Sequence, residues 1–286
     1  MNTKCDLHTH SIFSDGSFSP EEIIAEAKRQ DLVVALTDHN TVSGLPAFME
    51  AAKAQGVTAV PGVELSTVCE EHELHLVGLF ITPEHYKAVE GLCREFHALK
   101  EVSNMEMVER LNEAGYMINY LSVKRRNPTG NANRAHIAAE LMEQGYVQSV
   151  AEAFKTLLAE DKGFYVPPDR LKTVDAIGFL RKIGAVPVWA HPLQELDGAA
   201  VRRLLPSLVA AGLVGMETQH SSYDLPTVAL AEEIAGEFDL LPSGGSDFHG
   251  ANKPGILLGE GKGKLNVPNQ VYMDLLQYHR SLRREG

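Results

Sequence analysis

What the sequence lacks narrows it first. Only three cysteines, Cys5, Cys69 and Cys93, occur among 286 residues, and they form no CxxC pair. An odd number without framework spacing excludes a disulfide-stapled scaffold and points to a reduced, cytoplasmic compartment. No window approaches the roughly 18 apolar residues of a membrane span. Residues 1–6 carry no apolar core of a secretory signal. Basic residues are scarce: 26 Lys plus Arg stand against 38 Asp plus Glu, a formal charge of −12. That balance disfavours duplex DNA and anionic membranes as partners. It leaves room for a small anionic substrate, because bound metal ions reverse the local sign.

With 44% apolar and 22% charged residues the chain is an ordinary globular one. Its length fits one large α/β domain with an insert, or two ordinary domains. Short apolar runs alternate with helical patterns. Strands are expected at 5–8, 32–36, 57–63, 73–80, 185–190, 214–217 and 240–243. Ser19-Pro20-Glu21-Glu22 opens a helix with a capping box. Strand–helix alternation implies a mostly parallel sheet with right-handed crossovers. About seven such units suggest a barrel. Residues 83–167 break the pattern with helices alone, expected at 84–115, 133–144 and 149–160. The division is therefore a barrel domain of residues 1–82 and 168–286, with a helical insert at 83–167.

Twelve histidines are present, and several stand beside carboxylates. His8 and His10 follow the first expected strand, with Asp15 soon after. His39 follows the second, Glu64 ends the third, and His75 lies on the fourth. His191 ends the fifth, and Asp247 and His249 follow the last. Barrel enzymes build their sites at such strand ends. An HxH pair alone is more often a core or surface pair than a metal site, but nine such residues at successive strand ends need a common cause. His and carboxylate together are the ligand set of Zn²⁺, Mn²⁺ and Fe²⁺. Nine ligands exceed one ion's coordination number, so two to three divalent ions are implied, with a carboxylate such as Glu64 bridging. The ions would outweigh three carboxylates and attract a phosphate dianion.

Asp6-Leu7-His8-Thr9-His10, Ser14-Asp15-Gly16, Thr37-Asp38-His39, Gly62-Val63-Glu64, Ala190-His191-Pro192 and Ser246-Asp247-Phe248-His249 resemble the PHP (polymerase and histidinol phosphatase) superfamily. Within it, the helical insert resembles the bacterial stand-alone branch of nucleotide phosphoesterases. The resemblance implies a distorted (βα)7 barrel of the PHP type with a small all-helical insert and a trinuclear site. By motif, it implies one ion on His8, His10, Glu64 and Asp247. It implies a second on Glu64, His75 and His191, and a third on Asp15, His39 and His249. One departure is visible: relatives often follow Ala-His-Pro with Gly-Arg, whereas this chain has Leu193-Gln194. That puts a preference for 3′,5′-bisphosphates in doubt.

Substrate contacts are expected from the insert. Asn133-Arg134 opens a helix, where backbone N–H groups and a guanidinium together favour a phosphate. His220, past the sixth strand, is a further candidate on the rim. Lys124-Arg125-Arg126 in a loop is a short basic run of the kind usually just solvated. The resulting expectation is a metal-dependent phosphoric ester hydrolase. It would cleave a phosphomonoester of a nucleotide (5′-AMP-like, 3′,5′-bisphosphonucleotide or short RNA 5′ end) with a hydroxide bridging two ions. Glu64, Asp247 and His191 would carry the catalysis. The partner would be a small phosphorylated substrate, a nucleotide or short oligonucleotide. A histidinol-phosphate phosphatase is the alternative that lacks the insert, and a non-catalytic metal-binding module the alternative that would have lost its ligands.

Overall fold

The computed structural model describes residues 3–126 and 132–285. The chain divides into two compact units, one of Met1–Glu90 with Leu171–Gly286 and one of Gly91–Arg170. Among the described residues no helix is long and apolar enough to cross a membrane.

The first unit is a single eight-stranded sheet. Its strands are β1 (Lys4–Asp6), β2 (Leu32–Leu36), β3 (Ala59–Cys69), β4 (His72–Leu79), β5 (Val186–Trp189), β6 (Gly215–His220), β7 (Leu241–Gly245) and β8 (Val267–Pro268). The order is β7-β6-β5-β4-β3-β2-β1-β8. The sheet closes nearly into a barrel because the chain beyond β1 bonds to the chain around β7. Leu7 N–H donates to Gly244 O (3.1 Å), Asp247 N–H to His8 O (3.0 Å) and His10 N–H to Phe248 O (2.9 Å). This is the distorted α/β barrel expected from the motifs.

The helices of this unit pack apolar faces on the sheet. In α1 (Pro20–Arg29) Ser19 and Glu22 form the expected capping box, and Ile23, Ile24 and Ala27 are buried. The others are α2 (Leu45–Gln55), α7 (Thr173–Lys182), α8 (Gly198–Ala210), α9 (Leu225–Glu237) and α10 (Asn269–Glu285). One core cluster joins Cys5, Leu7, Val33, Ala35, Val60, Val77, Val186 and Val188. Such β-branched runs buried on both faces belong to a parallel sheet covered by helices.

Parallelism is incomplete. β1–β2, β2–β3, β5–β6 and β6–β7 are parallel, but β4 runs antiparallel to both neighbours and β8 antiparallel to β1. The third strand does not end at Glu64. It continues to Cys69 and turns into β4 as a hairpin, so Glu64 sits mid-strand opposite Val77. The alternating Leu65-Ser66-Thr67-Val68 suits a half-buried strand, which extends the pairing past the expected end.

The second unit is helical and has its own core. It holds residues of α3 (Tyr86–Glu113), α4 (Tyr120–Arg125), α5 (Arg134–Glu143) and α6 (Val150–Ala153). Met107, Leu111, Ile137, Leu141 and Leu158 are fully buried together. The single helix expected over 149–160 is broken. After α6 a wider turn covers Phe154–Leu158, closed by Ala159 N–H on Phe154 O. Thr156 Oγ1 donates to Glu152 O at 2.8 Å, a hydroxyl bond that competes with the helical ladder. The basic run is not a loop throughout, since Lys124 and Arg125 end α4. Lys124 pairs with Glu101 and Arg126 with Glu140 and Glu143. Asn127, Pro128 and Gly130 lie outside the described residues.

Closure rests on close backbone approach at Gly245. A Cβ there would lie 2.4 Å from His8 Cβ and 2.5 Å from His8 N. Overpacking of this kind costs about 1–3 kcal/mol or more. Gly245→Ala is expected to lower the urea midpoint accordingly and to reduce metal uptake, since His8 must move. A wild-type midpoint would refute the close approach.

Candidate metal centre

Glu64 is fully buried, and five imidazoles surround its carboxylate. His8 Nε2 (3.2 Å), His10 Nε2 (3.2 Å) and His39 Nδ1 (2.9 Å) face Oε2. His75 Nδ1 (3.0 Å) and His191 Nε2 (3.1 Å) face Oε1. Burial alone would raise this carboxyl's pKa. The imidazoles of His39, His8 and His75 outweigh burial and hold it well below the usual range. Conversely, burial would lower His75, but Glu64 beside it pushes the ring up to about 10.

Asp247 and Asp15 extend the cluster. Asp247 Oδ1 lies 3.2 Å from His10 Nε2, 3.4 Å from His249 Nδ1 and 3.8 Å from His8 Nε2. Asp15 Oδ1 lies 3.1 Å from His249 Nε2, and Oδ2 3.9 Å from His39 Nε2. The donor atoms form four overlapping groups, each within 4.8 Å: His10-Asp15-His39-His249, His8-Glu64-His191, His8-His10-Asp247 and His39-Glu64-His75. All nine residues singled out from the sequence thus meet in one place. His8, His10 and His39 each also belong to a group that crosses the sets implied by the motifs.

The donor chemistry fits divalent cations. Buried His8 Nε2, His10 Nε2, His39 Nδ1, Glu64 Oε2, His75 Nδ1 and His249 Nε2 have no hydrogen-bond partner, despite their proximity. Buried polar atoms are normally satisfied. His220 Nε2 beside Asp247 is a seventh, and such a cluster of ligand-type orphans is what a site built around cations leaves behind.

The scaffold holds these side chains through residues that carry no ligand themselves. Buried Asp6 accepts from Ser246 N–H (2.8 Å), Ser246 Oγ (2.6 Å) and Gly259 N–H (2.7 Å), tying β1 to the loop of Asp247. Asp38 accepts from Ser11 N–H (2.7 Å), Ser11 Oγ (2.7 Å) and Ser14 Oγ (2.6 Å), fixing the loop between His10 and Asp15. His191 and Asp247 adopt left-handed φ of 33° and 55°. That is a strained conformation for residues with a Cβ and is characteristic of functional sites.

The sequence reading passed over Glu217 on β6. Its Oε1 accepts from His8 Nδ1 at 2.8 Å, and its Oε2 from the His191 N–H at 2.7 Å. This fixes the tautomer that leaves His8 Nε2 free toward the centre. Glu217 ends the expected strand at 214–217, a strand-end signal like that of Glu64, but no histidine stands beside it in sequence. His220 ends the same strand, buried, with Nε2 3.7 Å from Asp247 Oδ2 and Nδ1 2.7 Å from Ser222 Oγ.

Asn133 and Arg134 lie within the second unit. Asn133 caps α5 reciprocally with His136. The Arg134 guanidinium stacks 4.1 Å from the Tyr165 ring centre and bonds Leu158 O. Trp189 is buried at 1% exposure and is core.

The PHP domain family model matches residues 6–166, more than half of the chain. The chain belongs to the PHP domain family. A 5′-3′ exoribonuclease of Haemophilus influenzae is 36% identical over 87% of this PHP chain and 91% of its own length. A 3′,5′-nucleoside bisphosphate phosphatase of Chromobacterium violaceum is 32% identical, covering 87% and 88% respectively. Among solved structures, a Bifidobacterium adolescentis protein assigned as a metal-dependent phosphoesterase superimposes with a TM-score of 0.72. It is 26% identical over 97% of this chain and 96% of that one.

Glu217→Gln retains shape and the acceptor for His191 N–H but weakens the hold on His8. Carboxylate partners of ligating histidines contribute about 10- to 100-fold in metal affinity. Mn²⁺ affinity measured by competition with a chelating dye is expected to fall in that range, with the fold intact by circular dichroism. Unchanged affinity would show that His8 needs no such partner.

Proposed function

We propose that the centre hydrolyses a phosphomonoester of a nucleotide or of a short RNA 5′ end. The chain is a PHP-family phosphoric ester hydrolase, and the observation carrying the finer reading is the nine-residue cluster itself. In this reading His8, His10, Asp15, His39, Glu64, His75, His191, Asp247 and His249 hold two to three divalent ions, of Mn²⁺, Zn²⁺ or Fe²⁺ type. When bound, these ions supply Lewis acidity for the phosphoryl oxygens and a water acidic enough to act as nucleophile.

The chain's own contribution is positioning. Glu64 presents both carboxylate oxygens to different sets of imidazoles, so it would be the residue shared between ions, with Asp247 and His191 also holding them. Glu217 holds the His8 ring. Asp6 and Asp38 lock the flanking loops. Fixed groups need no reorganisation as charge develops on the phosphoryl oxygens. His220, set beside Asp247, stands as the barrel's rim candidate for substrate.

The helical segment 83–167 is, in this reading, a substrate-side cap. Asn133 caps the start of α5 with His136, and Arg134 beside it brings a guanidinium to the positive end of the helix dipole, where an anion is favoured. The exoribonuclease name of the Haemophilus influenzae relative favours a second reading, stepwise hydrolysis from an RNA 5′ end, which the same centre would serve.

A screen with added Mn²⁺ that follows both inorganic phosphate and released mononucleotides separates these readings. Its substrates are 5′-mononucleotides, 3′,5′-bisphosphonucleotides, 5′-phosphorylated short RNAs and histidinol phosphate. Release from a nucleotide or RNA, and none from histidinol phosphate, is expected; the reverse pattern refutes the reading. Arg134→Ala is expected to lower kcat/KM for the preferred nucleotide by about one to two orders of magnitude, given roughly 1.5–3 kcal/mol for a charged hydrogen bond. Kinetics unchanged within twofold would remove Arg134 from the substrate site.

A further inference from the structure

We propose that Lys253 binds the substrate's phosphoryl group at the edge of the centre. The inference rests on the phosphoesterase reading and assigns it a residue outside the nine.

Asp247 uses its two oxygens differently. Oδ1 faces His8, His10 and His249. Oδ2 accepts from Lys253 Nζ at 2.8 Å. Among the described residues, Lys253 is the one lysine or arginine paired with any of the nine. An ammonium has three N–H donors, and Asp247 is its one hydrogen-bond partner among those residues. Two donors therefore remain on a side chain 40% exposed, next to a carboxylate that is nearly buried.

The position of this ammonium is built rather than incidental. Ser17 N–H donates to His249 O at 3.1 Å. Ala251 N–H donates to Ser17 Oγ at 2.7 Å, and Asn252 Nδ2 to Asp15 O at 2.9 Å. Gly250 sits at φ 63°, and a Cβ there would lie 2.2 Å from Ser17 Oγ. The segment carrying Lys253 is thus tied to the loop carrying Asp15, and both border the His10-Asp15-His39-His249 group.

The opposite side of the centre has the other sign. A cavity of about 340 Å³ beside His75 and His191 is lined by Glu73 and Glu195 and, among the described residues, by no lysine or arginine. Glu73 and Glu195 make that side less favourable to a phosphate than the side that carries the Lys253 ammonium. With cations on the centre, Asp247 Oδ1 is neutralised, and the ammonium's remaining donors are free for a non-bridging phosphoryl oxygen.

The test uses the full-length protein loaded with Mn²⁺, with Lys253→Met and Lys253→Arg variants. Inorganic phosphate is the probe, its binding followed by calorimetry at fixed ionic strength. Metal content is measured by elemental analysis. Lys253→Met is expected to keep its metal and melting temperature while binding phosphate about 10- to 100-fold more weakly. KM for the nucleotide should rise similarly, and Lys253→Arg should retain most of the affinity. Phosphate affinity within twofold of wild type overturns the proposal. So does loss of metal from Lys253→Met, which would make the lysine a positioning partner of Asp247. Phosphate binding needs no turnover. A protein that hydrolyses no phosphomonoester but loses phosphate with Lys253 would sink the functional reading and leave this inference standing.

Discussion

One buried carboxylate organises the barrel's interior. Glu64 has no solvent exposure, and an isolated charge in such a place is strongly unfavourable. It is tolerated because His8, His10, His39, His75 and His191 all reach it within 2.9–3.2 Å. Those histidines come from β4 and from chain beyond β1, β2 and β5. The charge is compensated only if these segments meet, so the polar centre and the closure of the sheet depend on each other.

Closure brings the first and seventh strands together. Asp6 on β1 receives Ser246 beside β7, and His10 N–H bonds Phe248 O. Through these bonds the HxH pair and the Asp-Phe-His run become neighbours, although about 240 residues separate them. The same bonds set the unusual backbone at Asp247. Strain there is held by rigid surroundings on every side, as expected where a side chain must point in one direction.

The centre without cations is electrostatically divided against itself. Glu64 keeps neighbouring His8, His39 and His75 above the usual imidazole range against the effect of burial, while burial and His39 lower His10. Several buried nitrogens nevertheless have no hydrogen-bond partner. A cation relieves both conditions at once, since it replaces protons on the imidazoles and gives the orphaned atoms a partner. Two layers follow: the nine residues inside, and Glu217, Asp6 and Asp38 outside them, each holding an inner side chain or its loop.

The sequence by itself determined the strand–helix alternation, the capping box at Ser19 and Glu22, and the positions of all nine inner residues. Such signals are local: an apolar run, a capping residue, a ligand type after a strand. It did not reveal the antiparallel course of β4, because an apolar strand reads alike in either direction and hairpin or crossover is decided by packing. Nor did it reveal that Glu64 lies mid-strand, since Leu65 to Val68 pair only once β4 lies beside them. Lys253 left no trace, and Glu217 only a weak one, a carboxylate ending the expected strand 214–217 with no histidine beside it. Both depend on the fold: Glu217 meets His8, far away in sequence, and Lys253 meets Asp247, close in sequence, through a carboxylate whose two oxygens are distinguished only by the folded loop around it. Residue types could announce what the centre is made of, but orientation, and with it the outer layer, arises only when the barrel closes.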